Sequence, residues 1–301
     1  MTRRPPALAG VASVAQRLAV LLAAGVAPVS AWGYLEASPV VARVVSSRVD
    51  APHLAEVILD ASRALPGLEG GGWRGLAAAW SVATEVGAPL ALSLRDYARS
   101  LRSLAQAQRD IEAALAAPVA TARMVMVLPA IGVLFGMVLG FDTAGTLFGT
   151  PVGWACLVVG GGLIALAVRW NRRLVRAAQP GEAAPGIECD LMAIAVSGGG
   201  SLDSARAVLD EALTLFLLPA VPARVEGVLD LSRRAGVPAA ELLRGEADEA
   251  RRSARAAAQE KAAALSVRLM LPLGLCILPA FMVLGVFPLL VAVISSTVAT
   301  F

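Results

Sequence analysis

Residues 124–141 read MVMVLPAIGVLFGMVLGF and residues 143–168 read TAGTLFGTPVGWACLVVGGGLIALAV, with Asp142 the one charged residue between Arg123 and Arg169. A helix needs about 20 mostly apolar residues to cross the ~30 Å hydrocarbon core of a bilayer. The joining sequence FDTAGTLFGTP is rich in glycine, threonine and proline, which break a helix. We therefore predict two membrane spans, at 123–141 and 151–170, joined by a loop at 142–150.

A third apolar run, LMLPLGLCILPAFMVLGVFPLLVAVI, covers 269–294 and predicts a third span, followed by a tail at 295–301. The uncharged stretch 18–35 is a further candidate. Gly25 and Pro28 interrupt it, which favours a helix, a turn and a second helix. The composition is typical of a membrane protein: 57% of residues are hydrophobic and 16% are charged, against roughly 45–50% and 25% in soluble domains.

The basic residues predict the orientation of the spans. All 26 lie in 1–122, in 171–268 or at the adjoining ends of the spans, and none lies in the loop or the tail. Cytoplasmic segments carry the excess of arginine and lysine, so we expect a cytoplasmic N-terminus and an extracytoplasmic C-terminus. The net charge of +3 argues against a nucleic-acid-binding protein, which needs a concentrated basic surface.

The segments 1–122 and 171–268 share an ordered set of features. The first contains LAVLLAAGVAPVSAW, then TEVGAPLALSLRDYARSL, then the apolar run with Pro129. The second contains LMAIAVSGGGSLDSA, then RRAGVPAAELLRGEADEA, then the apolar run with Pro279. We interpret the segments as tandem copies of one helical-bundle domain, which makes the chain an all-α polytopic membrane protein.

Glycines and prolines mark the expected turns of each copy. Gly25 and Gly198 fall in the first turn of the two copies, and Gly87-Ala88-Pro89 matches Gly236-Val237-Pro238. Glycine suits the C-terminal cap of a helix, and proline suits the first turn of the next one. Long helices are therefore expected at 90–122 and 239–268, each continuing into a span, while GLEGGGWRG (67–75) is expected to form a loop.

The repeat resembles the type II secretion system F domain family. Its opening helix with Ala24-Gly25 resembles the family's "L…LL.aG" helix, and Glu85 to Leu90 with Leu94 resembles its "G..L...L" turn. AALAAPVATARMVMVLP (113–129) and LPLGLCILPAFMVLGVFPLL (271–290) resemble sequences in the Tad (tight adherence) branch of that family. The likeness covers about 16–295, and from this sequence we expect no counterpart of the additional N-terminal span that many Tad-branch members carry.

This resemblance implies a platform protein of the bacterial inner membrane that serves a type II secretion or type IV (Tad/Flp) pilus assembly machine. The implied partners are a cytoplasmic assembly ATPase, pilin or pseudopilin subunits, and further platform copies in a homo- or hetero-oligomer within the lipid bilayer. A membrane subunit of a small transporter is the alternative, which would require polar or broken spans near the midplane.

Residues that could carry enzymatic chemistry are sparse. No phosphate-binding GxxxxGK[ST] loop, HExxH or GxSxG motif occurs, and Lys261 follows no glycine-rich turn. We expect no catalytic, cofactor-binding or metal-binding residue, with the single histidine, His53, in a loop. Gly198-Gly199-Gly200 follows an apolar helix and is interpreted as a turn. Three scattered cysteines are interpreted as packing residues with free thiols.

Small residues in the first span predict close helix packing. Gly132, Gly136 and Gly140 form a GxxxGxxxG pattern, which lets two helices approach closely. The pattern fits either dimerisation or packing against Gly160-Gly161-Gly162 of the second span. Both alternatives stay open, and Pro129 and Pro279 are expected to lie at equivalent positions of the first and third spans.

Overall fold

The computed structural model describes residues 7–138, 148–178, 185–268 and 273–288, apart from 37, 66 and 220, together with the single residues 145, 271 and 290. Every regular element in these ranges is a helix, which confirms the predicted all-α class. The chain divides into two compact units. Unit 1 comprises 1–109 and 180–257, and unit 2 comprises 110–179 and 258–301.

The described helices carry consecutive labels along the chain. They are α1 (Ala7–Ala23), α2 (Pro28–Trp32), α3 (Pro39–Ser47), α4 (Leu54–Ser62), α5 (Gly67–Glu85), α6 (Leu90–Val138), α7 (Pro151–Ala178), α8 (Ile187–Ser197), α9 (Leu202–Leu215), α10 (Pro222–Ala235), α11 (Ala239–Arg268) and α12 (Leu278–Phe281). A 3₁₀ turn spans Ala51–His53, so His53, which was expected in a loop, ends this short turn. By these bounds, α6 and α11 each contain residues of both units.

Local sequence sets where several of these helices begin. The hydroxyl of Ser38 accepts a hydrogen bond from the backbone N–H of Val41 at 3.2 Å, and Pro39 follows at the first helical position. The hydroxyl of Ser201 accepts one from the N–H of Ser204 at 3.1 Å. Such N-caps satisfy backbone donors that have no partner inside the helix. The predicted helix, turn and helix of 18–35 is confirmed by α1, Gly25 and α2.

Unit 1 is built around α5, which contacts α1, α4, α8 and α9. One hydrophobic core contains buried residues of α1–α6 together with buried residues of α8–α11. Trp32 and Trp80 lie in it with their ring centroids 5.9 Å apart, and the indole N–H of Trp80 donates to the carbonyl of Ala51 at 3.1 Å. The two segments that resemble each other in sequence thus share one core, and the expected boundaries at 122 and 171 stay a prediction.

The loop predicted at 67–75 is wrong, because these residues form the first half of α5. Four of its glycines are buried, as is Trp73. A Cβ atom on Gly72 would lie 2.9 Å from Leu8, and one on Gly75 would overlap the hydroxyl of Tyr97. Glycine is a weak helix former, but here its missing side chain lets neighbouring elements approach α5, and tertiary packing overrides local propensity.

Unit 2 contains α7, against which the described part of the C-terminal segment packs. That segment is π-helical over Leu273–Ile277 and Met282–Val286, with α12 between them. Each π-helical stretch ends two residues before a proline, Pro279 or Pro288. Proline has no N–H to donate to the carbonyl four residues earlier, which disrupts the α-helical bonding there.

Unit 2 exposes many large apolar side chains. Met124 of α6 is 78% exposed, Val158 of α7 is 71% exposed, and Leu275 is 68% exposed. Further exposed apolar side chains on the same elements are Ile131, Leu134, Phe135, Val138, Val152, Val159, Leu166, Leu271, Leu278, Met282 and Phe287. Within the described residues, one helical stretch, Pro151–Leu174, is long and apolar enough to cross a membrane.

Candidate functional site

Among the described residues, the buried charged side chains cluster in unit 1, where α8 meets residues of α6, α10 and α11. Helix α8 is almost entirely apolar, yet its first turn carries Glu188 and Asp190. The positive end of the helix dipole favours acids there. The Glu188 side chain is buried, at 4% exposed, and the Asp190 side chain is mostly buried, at 13% exposed. A buried carboxylate needs a cation or hydrogen-bond donors, and other helices supply them.

Asp190 is held by α11 and α6. A guanidinium N–H of Arg251 donates to its Oδ2 at 2.7 Å, and the Ser100 hydroxyl donates to the same oxygen at 3.2 Å. Arg251 is only 7% exposed, and its second nitrogen donates to Asp248 at 2.6 Å. One guanidinium therefore serves two carboxylates, of which Asp190 is buried and Asp248 is exposed.

Burial dominates the protonation of Asp190. Desolvation raises the pKa of this carboxyl to about 6, although Arg251 and the Ser100 hydroxyl act in the opposite direction. The pKa of Arg251 is raised by Asp190 and Asp248, which outweigh the opposing effect of its own burial. Arg251 thus remains a cation, and Asp190 is the group whose charge changes in mildly acidic solution.

Glu188 makes a parallel set of contacts. An N–H of Arg224, on α10, donates to its Oε1 at 2.6 Å, and Arg224 also lies 3.6 Å from a carboxylate oxygen of Glu246, on α11. Cys189 sits between the two acids. Burial first, and then the charge of Glu188, raise the pKa of its thiol to about 12. The thiol therefore stays protonated and is a poor nucleophile.

The network also joins the two sequence segments of unit 1. Arg244 of α11 lies 3.2 Å from Asp96 of α6, and Ser100 lies one turn further along α6. The hydroxyl of Tyr97, between them in sequence, donates to the carbonyl of Gly72 at 2.7 Å. Burial raises the pKa of Tyr97 well above its usual range. These contacts fix α6 to α5 on one side and to α8 and α11 on the other.

Sequence reasoning missed this network. It predicted a long helix at 239–268, but not that Arg251 of this helix lies in the interior. The signal was present as two acids, Glu188 and Asp190, inside the apolar stretch IECDLMAIAV. An acid in a buried helix requires a cation from elsewhere in the fold, but the sequence does not say which arginine supplies it. The three cysteines, as predicted, are buried and have free thiols.

The predicted turn residues lie at helix ends of unit 1. Gly25, Gly87 and Gly236 have positive φ angles of 86°, 68° and 69° and follow α1, α5 and α10. Pro89 and Pro238 directly precede α6 and α11.

The turn at the glycine run differs by one residue from this pattern. Gly198 caps α8 with φ −74°, and the positive φ of 81° belongs to Gly199. A Cβ atom on Gly198 would overlap the carbonyl of Val86, so this turn lies against the turn that contains Gly87.

The predicted packing residues of the spans are only partly described. Pro129, Gly132 and Gly136 lie within α6, and Gly140 lies outside the described residues. Pro279 lies in the first turn of α12. In α7, a Cβ atom on Gly160 would overlap Leu284. Helix α7 is therefore in close contact with the third apolar run at Gly160, and the alternatives for the GxxxGxxxG pattern remain predictions.

Across the described ranges, no group of three or more His, Cys, Asp or Glu side chains is arranged to hold a metal ion. The hydrogen bonds and ion pairs of the buried network fix α6, α8, α10 and α11 relative to one another. Comparison of the chain with family models, with curated proteins and with solved structures finds no match.

Proposed function

We propose that the chain crosses the bacterial inner membrane three times and serves there as the platform protein of a type II secretion or Tad/Flp pilus assembly machine. In this role unit 1 is cytoplasmic and binds an assembly ATPase, and unit 2 lies in the bilayer beside pilin or pseudopilin subunits. The protein hydrolyses no ATP itself and transmits conformational change from its partner.

The exposed apolar side chains of unit 2 are the observation that carries the membrane part of this proposal. A soluble unit buries its large apolar side chains, as unit 1 does with Trp32, Leu76 and Trp80. Unit 2 instead exposes Met124, Val158 and their neighbours on α6, α7 and the C-terminal segment. Exposing side chains of this kind to water costs roughly 1.5–3 kcal/mol each, and lipid removes that cost.

The platform part rests on the repeated arrangement and on the family resemblance. The turns at Gly87 and Gly236 have the same backbone conformation, and each is followed by a proline and a long helix. Both long helices, α6 and α11, contain residues of both units. Such helices can carry a displacement from a cytoplasmic unit to a membrane unit, which a platform between an ATPase and a growing fibre must do.

Deletion and complementation in the native bacterium test the platform role. We expect loss of pili or of a secreted protein on deletion, and rescue by the intact gene. The purified full chain in detergent should also bind the assembly ATPase encoded in the same genome. Normal pili and normal secretion in the deletion strain would refute the platform role.

Purified protein distinguishes the transporter alternative. The full chain, reconstituted alone into vesicles, should move no solute across the membrane, because a platform has no substrate path. Substrate-dependent flux that disappears when this chain is omitted would instead favour the transporter.

A further inference from the structure

We propose that Arg169, Arg172 and Arg173 of α7 form a binding site for the phosphate headgroup of an anionic phospholipid in the cytoplasmic leaflet. The inference rests on the proposed membrane insertion, but not on the platform role. It concerns the end of α7, where the apolar sequence stops and WNRR begins.

The three arginines lie on one side of the helix. They occupy positions i, i+3 and i+4, and at about 100° per residue they fall within an arc of roughly 100°. All three are exposed. Within the described residues, none of them makes a hydrogen bond or an ion pair, whereas Arg224 and Arg251 of unit 1 are each paired with two carboxylates.

That side of α7 is the same side that exposes apolar residues. Leu166 lies one turn before Arg169, and Val158 lies three turns before it; both are exposed. The buried face is opposite, where Cys156, Gly160 and Ala167 pack toward the C-terminal segment. The lipids that cover Val158 and Leu166 therefore end in headgroups beside the arginines.

Arginine suits this position chemically. Its guanidinium carries a permanent charge and presents several N–H donors that match the oxygens of a phosphate. It can lay its methylene chain along the apolar surface while the charge reaches the interface. Neighbouring Trp170, partly buried against Ala167 and Ile277, is a residue type enriched at this depth. A zwitterionic headgroup would bind more weakly, because its own cation opposes the arginines.

The experiment uses the full chain in phosphatidylcholine vesicles with a trace of spin-labelled phosphatidylglycerol or spin-labelled phosphatidylcholine. Electron paramagnetic resonance gives the fraction of each lipid immobilised by the protein. One arginine near an anionic surface contributes about a fivefold change in affinity. We expect a preference for phosphatidylglycerol of at least about fivefold, decreasing when salt rises from about 0.1 M to about 1 M.

The triple variant Arg169→Gln, Arg172→Gln, Arg173→Gln should lose this preference. Arg102→Gln, Arg233→Gln, Arg234→Gln changes the charge equally on exposed residues of unit 1 and should retain it. Equal immobilisation of the two lipids by the wild-type protein would overturn the site while leaving membrane insertion intact. Equal losses in the two triple variants would also overturn it. Immobilisation of neither lipid would refute insertion, and this inference with it.

The arginines could instead contact an acidic protein surface, and the same variants separate the two cases. In that case the first triple variant would lose binding to the assembly ATPase and keep its lipid preference, which would overturn the proposal. If the arginines bind lipid, the variant Arg169→Gln, Arg172→Gln, Arg173→Gln should bind the ATPase in detergent as tightly as the wild-type protein does.

Discussion

At the scale of single residues, Arg251 is the group on which the buried network depends. It is the cation that the structure places within 2.7 Å of Asp190, and little water reaches either side chain. Removing one partner of a buried pair usually costs about 3–5 kcal/mol, because the other charge is left without compensation. We therefore expect Arg251→Gln to lower the free energy of unfolding by about this amount, measured by denaturant unfolding in detergent with tryptophan fluorescence.

The adjacent arginine provides the matched control. Arg252 lies 2.9 Å from Glu249, but both side chains are largely exposed. Exposed pairs contribute about 0–1 kcal/mol, so Arg252→Gln should change stability little. Equal effects of the two substitutions would show that Arg251 is not specially placed. Three of the five tryptophans, Trp32, Trp73 and Trp80, are buried in the core of unit 1, so the unfolding of this core should change the fluorescence.

Asp190 makes a separate prediction about pH. Its pKa is raised to about 6 by burial, while an unfolded aspartate titrates near about 4. Between these values the folded state holds a proton that the unfolded state has lost, so the contribution of Asp190 to stability falls as pH rises through this window and is constant above it. We expect the free energy of unfolding of the wild type, minus that of Asp190→Asn, to decrease as the pH rises from about 4 to about 6.

The measurement is denaturant unfolding of both proteins at several pH values across that window. Ionisable groups outside the network contribute equally to the two proteins and cancel in the difference. A difference that rises with pH would mean that Arg251 and Ser100 lower the pKa of Asp190 by more than burial raises it, and would contradict the prediction. A difference independent of pH would mean that Asp190 does not titrate there.

At the scale of helices, the turns at Gly87 and Gly236 set the start of α6 and α11. Their φ angles of 68° and 69° lie in the left-handed region, where a side chain clashes with the backbone at a cost of about 1–2 kcal/mol. Gly87→Val and Gly236→Val should each lower stability by about that amount. Both variants should reach the membrane at normal levels, because insertion depends on the apolar runs and flanking arginines.

The matched control is Gly245→Ala, inside α11, where an added Cβ meets no atom within 4 Å. Alanine is the better helix former, so this change should be neutral or stabilise by up to about 1 kcal/mol. In the native bacterium, the two valine variants should reduce pilus assembly or secretion and weaken ATPase binding. Unchanged stability and full function in the double variant would show that both glycines are ordinary loop residues.

Helix boundaries could be predicted where a local rule decided them. The pattern Gly-X-Pro, at 87–89 and 236–238, indicated that α6 starts at Leu90 and α11 at Ala239. Such a prediction is possible because the geometry of a helix cap depends on a few adjacent residues. The helical state of 67–75 could not be predicted, since its glycines are accommodated by Leu8 and Tyr97, which are distant in sequence. For the same reason the partner of Asp190 was missed: Arg251 follows it by 61 residues.

For the whole molecule, the proposed three-span topology can be tested by labelling introduced cysteines. Single cysteines are introduced at Thr146, Arg95 or Ala257 after the three natural cysteines have been replaced. Thr146 lies outside the described residues, in the predicted extracytoplasmic loop, and Arg95 and Ala257 are exposed in unit 1. An impermeant thiol reagent should label the first site in intact cells and the other two only after lysis. Labelling at Arg95 in intact cells would contradict the three-span topology.

The core shared by the two segments of unit 1 has a consequence for synthesis on the ribosome. Helix α5 is complete at Glu85, but α8, which covers part of it, begins only at Ile187. The ribosome adds roughly 5–20 residues per second, so α8 is synthesised about 5–20 seconds after α5. Over that interval the apolar face of α5 is open to chaperones, proteases and other nascent chains. Slower translation or a smaller supply of holdase chaperones should therefore lower the yield of this protein.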